Sequence, residues 1–213
     1  MGFCLFNNIA AAAAHALEEL GLERVLIVDW DVHHGNGTQE IFYDDPRVLF
    51  VSLHQRYHYP GTGAAGEIGA GPGVGYTVNI PLHRGAGDGA AYRVFSALVQ
   101  PLMAAFSPQL VLVSSGYDSR AGDPLGGLAL SNQAYRWMAS RLAFLAGPAG
   151  AAGPVCFLEG GYDPGGVGSA VVATLRGLTS PAPGIVTGAR PEDEQAVLDT
   201  IRSVGPYWGG VLD

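Results

Sequence analysis

Val25-Leu26-Ile27-Val28-Asp29-Trp30-Asp31-Val32-His33-His34-Gly35-Asn36-Gly37 is the stretch that decides the fold. Its first four residues are valine, leucine and isoleucine, and a short continuous apolar run bounded by polar residues suits a strand covered on both faces. Two aspartates and two histidines follow at once, and then a Gly-Asn-Gly turn. Open parallel sheets bind ligands beyond the carboxyl ends of their strands, so the stretch reads as strand, then site. In extended backbone alternate side chains share a side. That places Asp29, Asp31 and His33 on one face and Trp30, Val32 and His34 on the other.

Outward from this point the pattern repeats. Apolar runs at residues 48–53, 76–80, 110–114 and 155–158 alternate with helix-period stretches at 8–20, 89–106, 131–145, 167–178 and 192–204. The alternation predicts an α/β fold, a three-layer arrangement with a mostly parallel sheet flanked by helices. The length of 213 residues fits one domain over residues 1–213. Asn7 or Asn8, Asp88 and Ser131 are the expected N-caps, and Gly21 the left-handed stop after the first helix. Of the glycine-rich stretches, 60–75 begins with aromatic residues and is expected to be a functional loop, whereas 146–153 reads as a surface linker and 181–190 as a third loose segment.

Composition narrows the function classes. Hydrophobic residues make up 48% and charged residues 14%, with mean hydropathy +0.20, which indicates a packed core rather than disorder. Eleven basic against 19 acidic residues give a net charge of -8, which argues against neutralising a phosphate backbone and so against direct nucleic-acid binding. Apolar runs are broken well before the ~20 residues a bilayer requires, and the first residues lack a basic-then-apolar leader. A soluble, cytoplasmic protein with no membrane partner is expected. Cys4 and Cys156 have no metal-binding spacing and are expected to be small buried hydrophobes in a reducing compartment.

Three strand ends carry chemistry. For Asp29, Asp31 and His33 two readings compete: the acids cap the turn and His33 packs on the sheet, or carboxylates and imidazole converge on a cation. The convergence favours the cation. Such donors suit Zn²⁺ at about 2.0–2.2 Å, with one further protein ligand and a place for water; Fe²⁺ suits the same set. Asp29 and His34 are expected to orient ligands. Ser114-Ser115-Gly116-Tyr117-Asp118 ends a second strand and offers Asp118 as the third ligand, provided that the two strands are neighbours; Asp123 reads as a turn former before Pro124. Glu159-Gly160-Gly161-Tyr162 ends a third strand, where the Tyr162 hydroxyl could donate to a developing oxyanion or simply close a tight turn.

In order, residues 2–8 (Gly-Phe-Cys-Leu-Phe-Asn-Asn), 29–37, Val51-Ser52-Leu53-His54, Tyr59-Pro60-Gly61-Thr62-Gly63, Asp118 with Ala121-Gly122-Asp123-Pro124, and Gly160-Gly161-Tyr162 resemble the histone deacetylase/acetoin-utilisation family of the arginase–deacetylase fold. The likeness covers residues 2–178, and its combination of motifs is highly specific. It implies zinc ligands at Asp31, His33 and Asp118, and a carbonyl-polarising Tyr162. It also implies a narrow acyl-lysine tunnel involving Gly2, Phe3 and Tyr59, with Phe3 and Tyr59 as aromatic walls. Two K⁺ or Na⁺ sites are implied as well, one at Asp29, Asp31, His33, Ser52 and Leu53, the other at Phe42, Asp45, Val48 and Tyr76. The implied reaction hydrolyses an N-acetyl amide, on acetylated protein or a small acetylated amine, to acetate and a free amine. The family's tandem histidine general base belongs to a segment preceding the Gly-Phe-Cys motif. His33-His34 cannot replace it, and loss of that base would leave a zinc- or acyl-lysine-binding module without turnover.

Overall fold

Five parallel strands form one sheet in the order β3-β2-β1-β4-β5. In the computed structural model, which describes residues 3–184 and 188–212, these are β1 (Val25–Asp29), β2 (Val48–Gln55), β3 (Thr77–Leu82), β4 (Leu110–Ser115) and β5 (Ala152–Leu158). The helices are α1 (Asn8–Glu18), α2 (Asn36–Ile41), α3 (Asp88–Val94), α4 (Gln100–Phe106), α5 (Asn132–Ala149), α6 (Pro164–Thr179) and α7 (Pro191–Val204). The expected three-layer α/β fold is present. The chain runs from β1 to β3 in one direction across the sheet and then restarts at β4 on the other side of β1. β1 and β4 therefore flank the point where strand order reverses, the place where such sheets bind ligands.

Alternation along the central strands divides the core in two. Leu26, Val28, Val111 and Val113 face the larger cluster, which holds Phe95, Leu98, Trp137 and Met138 from the helical layer. Val25, Ile27 and Leu112 face the smaller one, covered by Ile9, Ala13 and Leu17 of α1. α1 starts where the Asn7 side chain accepts a hydrogen bond from the Ala10 amide (3.0 Å), and Ser131 caps α5 through the amides of Gln133 and Ala134. Gly21 takes the left-handed backbone expected of it, at φ +68.

Several expectations need correction. Asp88 does not cap its helix. Gly87 occupies that position in extended backbone, while the Asp88 carboxylate accepts from the Ser131 amide (2.7 Å) and hydroxyl (2.6 Å), fastening α3 to the start of α5. The expected single helix over 89–106 passes through a π-turn at Phe95–Val99. Pro101 lies in the first turn of α4, and its ring, which has no N–H, would collide with the carbonyl one turn back in a regular helix. Helix α2 was not anticipated: six residues have no room for an apolar period. The stretch 146–153 is largely the end of α5 and the start of β5 rather than a linker. Cys4 and Cys156 are both exposed, because one lies in the unpacked stretch before α1 and the other on the sheet's outermost strand.

Candidate metal centre

β1 ends at Asp29, level with Ser52 of β2 and Ser114 of β4. Beyond it Trp30 and Val32 stay buried in the larger core, whereas Asp29, Asp31 and His33 line a cavity of about 830 Å³. The alternation expected from extended backbone thus holds as far as His33 and fails at His34, which lines the same cavity because the chain turns there into α2. Loops from three strands are stitched together there. The Val32 amide donates to Asp118 Oδ1 (2.8 Å), the Gly160 amide to Asp31 Oδ2 (3.0 Å), and the Tyr117 amide to the Gly160 carbonyl (2.7 Å). β4 delivers Asp118 beside Asp31 because the two strands are hydrogen-bonded neighbours.

Ligand atoms of Asp31, His33 and Asp118 all lie within 4.8 Å of one another. His33 Nδ1 sits 2.9 Å from Asp31 Oδ1 and 3.3 Å from Asp118 Oδ2. That second oxygen is buried and has only the His33 ring as a polar neighbour, without a well-aligned hydrogen bond, a condition for a carboxylate that a cation would improve. Burial pulls the His33 imidazole down, but hydrogen bonds and charge from Asp118 and Asp31 outweigh it and hold the ring up at about 10. Burial, followed by the charge of Asp31, lifts the Asp118 carboxyl to about 6 against the opposing pull of His33. Two acids crowd one imidazole here, an arrangement that a divalent cation would relieve.

The backbone around these acids leaves no spare room. A methyl group on Gly160 would overlap Asp118 Oδ2, and one on Gly116 would overlap Asp31 Oδ2. Glycine is required at both positions for close approach. Asp29 is buried, and burial together with the Asp31 charge pushes its carboxyl well above the usual range; it accepts from the Asp31 amide (3.1 Å) and so orients that residue. His34, expected on the opposite face, borders the same cavity, with Nδ1 2.8 Å from Thr62 Oγ1 and Nε2 2.9 Å from Gln39 Oε1. His54 is fully enclosed between Ser52 Oγ and the Gly63 carbonyl, and burial, then the neighbouring His34, lowers it to about 3.

Tyr162 also lines the cavity, its amide donating to Asp123 Oδ2 (2.7 Å). Asp123 does form the expected turn, accepting from the amides of Leu125 and Gly126, but its second oxygen does a further job in fixing Tyr162. Burial and then the charges of Asp118 and Asp31 raise the Tyr162 phenol, which keeps its proton available for donation. Phe3 meets Tyr162 edge to face (6.2 Å), and Tyr59 meets His33 in the same way (6.1 Å). Gly2 lies outside the described residues.

Sequence reasoning gave no role to several cavity residues, His58 and Glu159 among them. His58 stacks on His33 at 4.9 Å, and nothing in its spacing announced it. Glu159, 3.7 Å from the Cys4 sulfur, had a signal in its position at a strand end beside the Gly-Gly turn. The residues read as cation sites lie in two places. Ser52 and Leu53 lie on β2 beside the end of β1, whereas Phe42, Asp45 and Val48 follow one another around the turn after α2, and the Tyr76 carbonyl accepts from Phe50.

The model of the histone deacetylase domain matches residues 1–178. The chain belongs to the histone deacetylase family. Histone deacetylase 10, chloroplastic, of Oryza sativa subsp. japonica is 46% identical over 176 residues, 83% of this chain and 40% of that protein. The polyamine deacetylase HDAC10 of Homo sapiens is 41% identical over 97% of this chain and 32% of its own length. Among solved structures, the HDA15 HD domain superposes with a TM-score of 0.91 at 41% identity, covering 99% of this chain and 59% of that one. This deacetylase-family chain therefore spans less than half the length of both curated relatives.

Proposed function

We propose that this chain, as one deacetylase-like domain over residues 1–213, carries the metal-holding and oxyanion-stabilising part of a zinc-dependent deacetylase centre. The observation that carries the reading is the convergence of ligand atoms of Asp31, His33 and the buried Asp118 within 4.8 Å of one another. Two carboxylates and an imidazole are a donor set that zinc accepts, and Fe²⁺ is the second choice. When bound, the ion supplies Lewis acidity toward the substrate's acetyl carbonyl and toward water. Tyr162 donates its hydroxyl proton to the oxygen of that carbonyl as negative charge develops there. Phe3 and Tyr59 flank the acyl-lysine side chain, and the family resemblance assigns Gly2 to the same substrate-binding group. Asp29 holds Asp31 in position, and Asp123 holds Tyr162.

The substrate class is an N-acetyl amide, on acetylated protein or a small acetylated amine; relatives named as histone and as polyamine deacetylases support both. K⁺ or Na⁺ at two further sites, Asp29, Asp31, His33, Ser52 and Leu53 and then Phe42, Asp45, Val48 and Tyr76, would stiffen the loops behind the ligands. No described helix is long and apolar enough to cross a membrane. Two free, exposed cysteines fit a reducing compartment, read here as the cytoplasm.

Removal of the proton from the attacking water is the role that no motif-matched residue of this chain fills. His34 and His54 have both ring nitrogens engaged. We therefore propose that turnover depends on a histidine pair supplied by polypeptide outside this chain, and that the chain alone loses about 10²–10⁴-fold in rate. The test is zinc content together with hydrolysis of an acetyl-lysine fluorogenic peptide. Zinc bound with little turnover supports the reading. Full turnover by the chain alone removes the external-base proposal, and absence of zinc binding removes the metal centre.

A further inference from the structure

The glycine-rich stretch 60–75, expected from its sequence to be a functional loop, is tied to the framework, and its ties converge on Glu67, a side chain that the cavity chemistry leaves unused. Glu67 Oε1 accepts from the amides of Gly63 (3.1 Å) and Ala64 (3.0 Å), and Oε2 accepts from Gln39 Nε2 (2.7 Å). Gly63 packs directly on two histidines. A methyl group there would overlap the rings of His34 and His54, and its carbonyl lies 2.9 Å from His54 Nε2. Immediately before the stretch stand the two residues that meet a metal ligand: His58 stacks on His33, and Tyr59 meets it edge to face.

The hydrogen bonds around Glu67 have a fixed direction. Its backbone carbonyl accepts from Asn79 Nδ2 (3.0 Å), which turns the NH2 of the fully buried Asn79 amide toward the loop. The same NH2 donates to Gln39 Oε1 (2.7 Å), and His34 Nε2 lies 2.9 Å from that oxygen, so both of its lone pairs are taken. Gln39 must therefore present its own NH2 to residue 67. Only a side chain that accepts on two oxygens can satisfy Gln39 on one side and the loop amides on the other. Glutamate does so. Glutamine has a single acceptor oxygen, and either sets NH2 against NH2 or leaves the amide of the buried Gly63 without a partner. Burial pushes the Glu67 carboxyl up, but hydrogen bonds from Ala64, Gln39 and Gly63 outweigh it and hold the group below its usual range, ionised at neutral pH.

We propose that Glu67 is a positioning residue for the acyl-lysine wall. Its carboxylate clamps residues 58–64 onto α2 and the strand ends behind them, and thereby sets the angle at which Tyr59 stands beside His33. This role rests on the reading of the cavity as an acyl-lysine tunnel. Through Tyr59, Glu67 governs how tightly a long acyl chain is gripped. The metal ligands are tied separately, Asp118 by the Val32 amide and Asp31 by the Gly160 amide, and hold the ion without it.

The test measures, by calorimetry, the affinity of the zinc-loaded chain for a short and a long hydroxamate. Acetohydroxamate reaches the metal alone, whereas a hydroxamate on a long linear alkyl chain ending in an anilide runs along the tunnel wall. Glu67→Gln should retain its zinc, keep acetohydroxamate binding within about twofold, and weaken the long probe about tenfold. In a Tyr59→Ala background the same substitution should change the long probe by less than about twofold, because the group through which it acts is gone. Gln39→Glu combined with Glu67→Gln moves the NH2 to residue 67 and the second acceptor oxygen to residue 39, and should restore the long probe to within about twofold of the parent chain. That exchanged pair carries the test if Glu67→Gln alone does not fold. An unchanged long probe in Glu67→Gln, equal losses for both probes, a full effect persisting without Tyr59, or no recovery in the exchanged pair each overturns the proposal. If Tyr59→Ala alone leaves the long probe unaffected, the tunnel reading itself fails and the role of Glu67 falls with it.

Discussion

The cavity has two unlike walls. The inner wall, at the ends of β1, β2 and β4, is backed by groups tied to one another: Asp118 to Val32, His34 to Gln39 and Thr62, His54 to Ser52 and Gly63. The outer wall, formed by Phe3, Leu5 and Phe6, is almost wholly exposed. Geometry that chemistry depends on is held by the first, while the second has surface to offer but little to hold it in place. Tyr162 joins them, its amide anchored to Asp123 and its ring against Phe3.

The contrast can be broken by substitution. The largest effect is expected from Asp118→Ala, which should reduce zinc from about one per chain to nearly none, read by metal analysis after dialysis. Normal metal content in that variant would remove Asp118 from the ligand set. Tyr162→Phe, in an assembly that turns over, should retain zinc and lose roughly 10²–10³-fold in kcat; an unchanged rate would reject the oxyanion role. Gly160→Ala forces a methyl group onto Asp118 and should destabilise the fold by about 1–3 kcal/mol, measured by denaturant unfolding.

The inner wall should also show itself in acid. His54 is near 3 in the folded protein against 6.5 as its ordinary value, so the unfolded chain takes up the proton first. The stability this provides is complete above pH 6.5 and is lost as the pH falls toward 3, with a slope of at most about 1.4 kcal/mol per pH unit. His54→Asn should flatten that portion of the stability curve, and an unaltered slope would show that the ring is not the group responsible. The smallest effect belongs to the outer wall. Phe3→Ala should leave zinc content unchanged and shift the stability of the isolated chain by no more than about 0.5 kcal/mol; a larger loss would mean that this wall is packed after all.

What could be read from the sequence follows the same division. The strands were legible because buried parallel strands are continuous apolar runs, and the ligand triplet because period-two alternation sets Asp31 and His33 on one side. Asp118 was legible only on the condition that two strands were neighbours, which no local pattern encodes and the β1–β4 pairing satisfies. His58 stacking on His33 depends on how the loop after β2 folds back, and the role of Asp123 in holding Tyr162 depends on a contact 39 positions along the chain. The exposure of both cysteines was illegible for a related reason: burial belongs to the assembled sheet, and β5 lies at its open end.

The hydrogen bond from Val32 to Asp118 joins residues 86 positions apart. Every ligand set containing both His33 and Asp118 must therefore wait until that long loop has closed and β4 has docked beside β1, a late and slow kind of event in folding. An unfolded chain cannot present the trio, so each bound ion weights the equilibrium toward molecules whose central strands are already paired. Metal uptake followed in time during refolding would then act as a clock for the docking of the sheet's two halves.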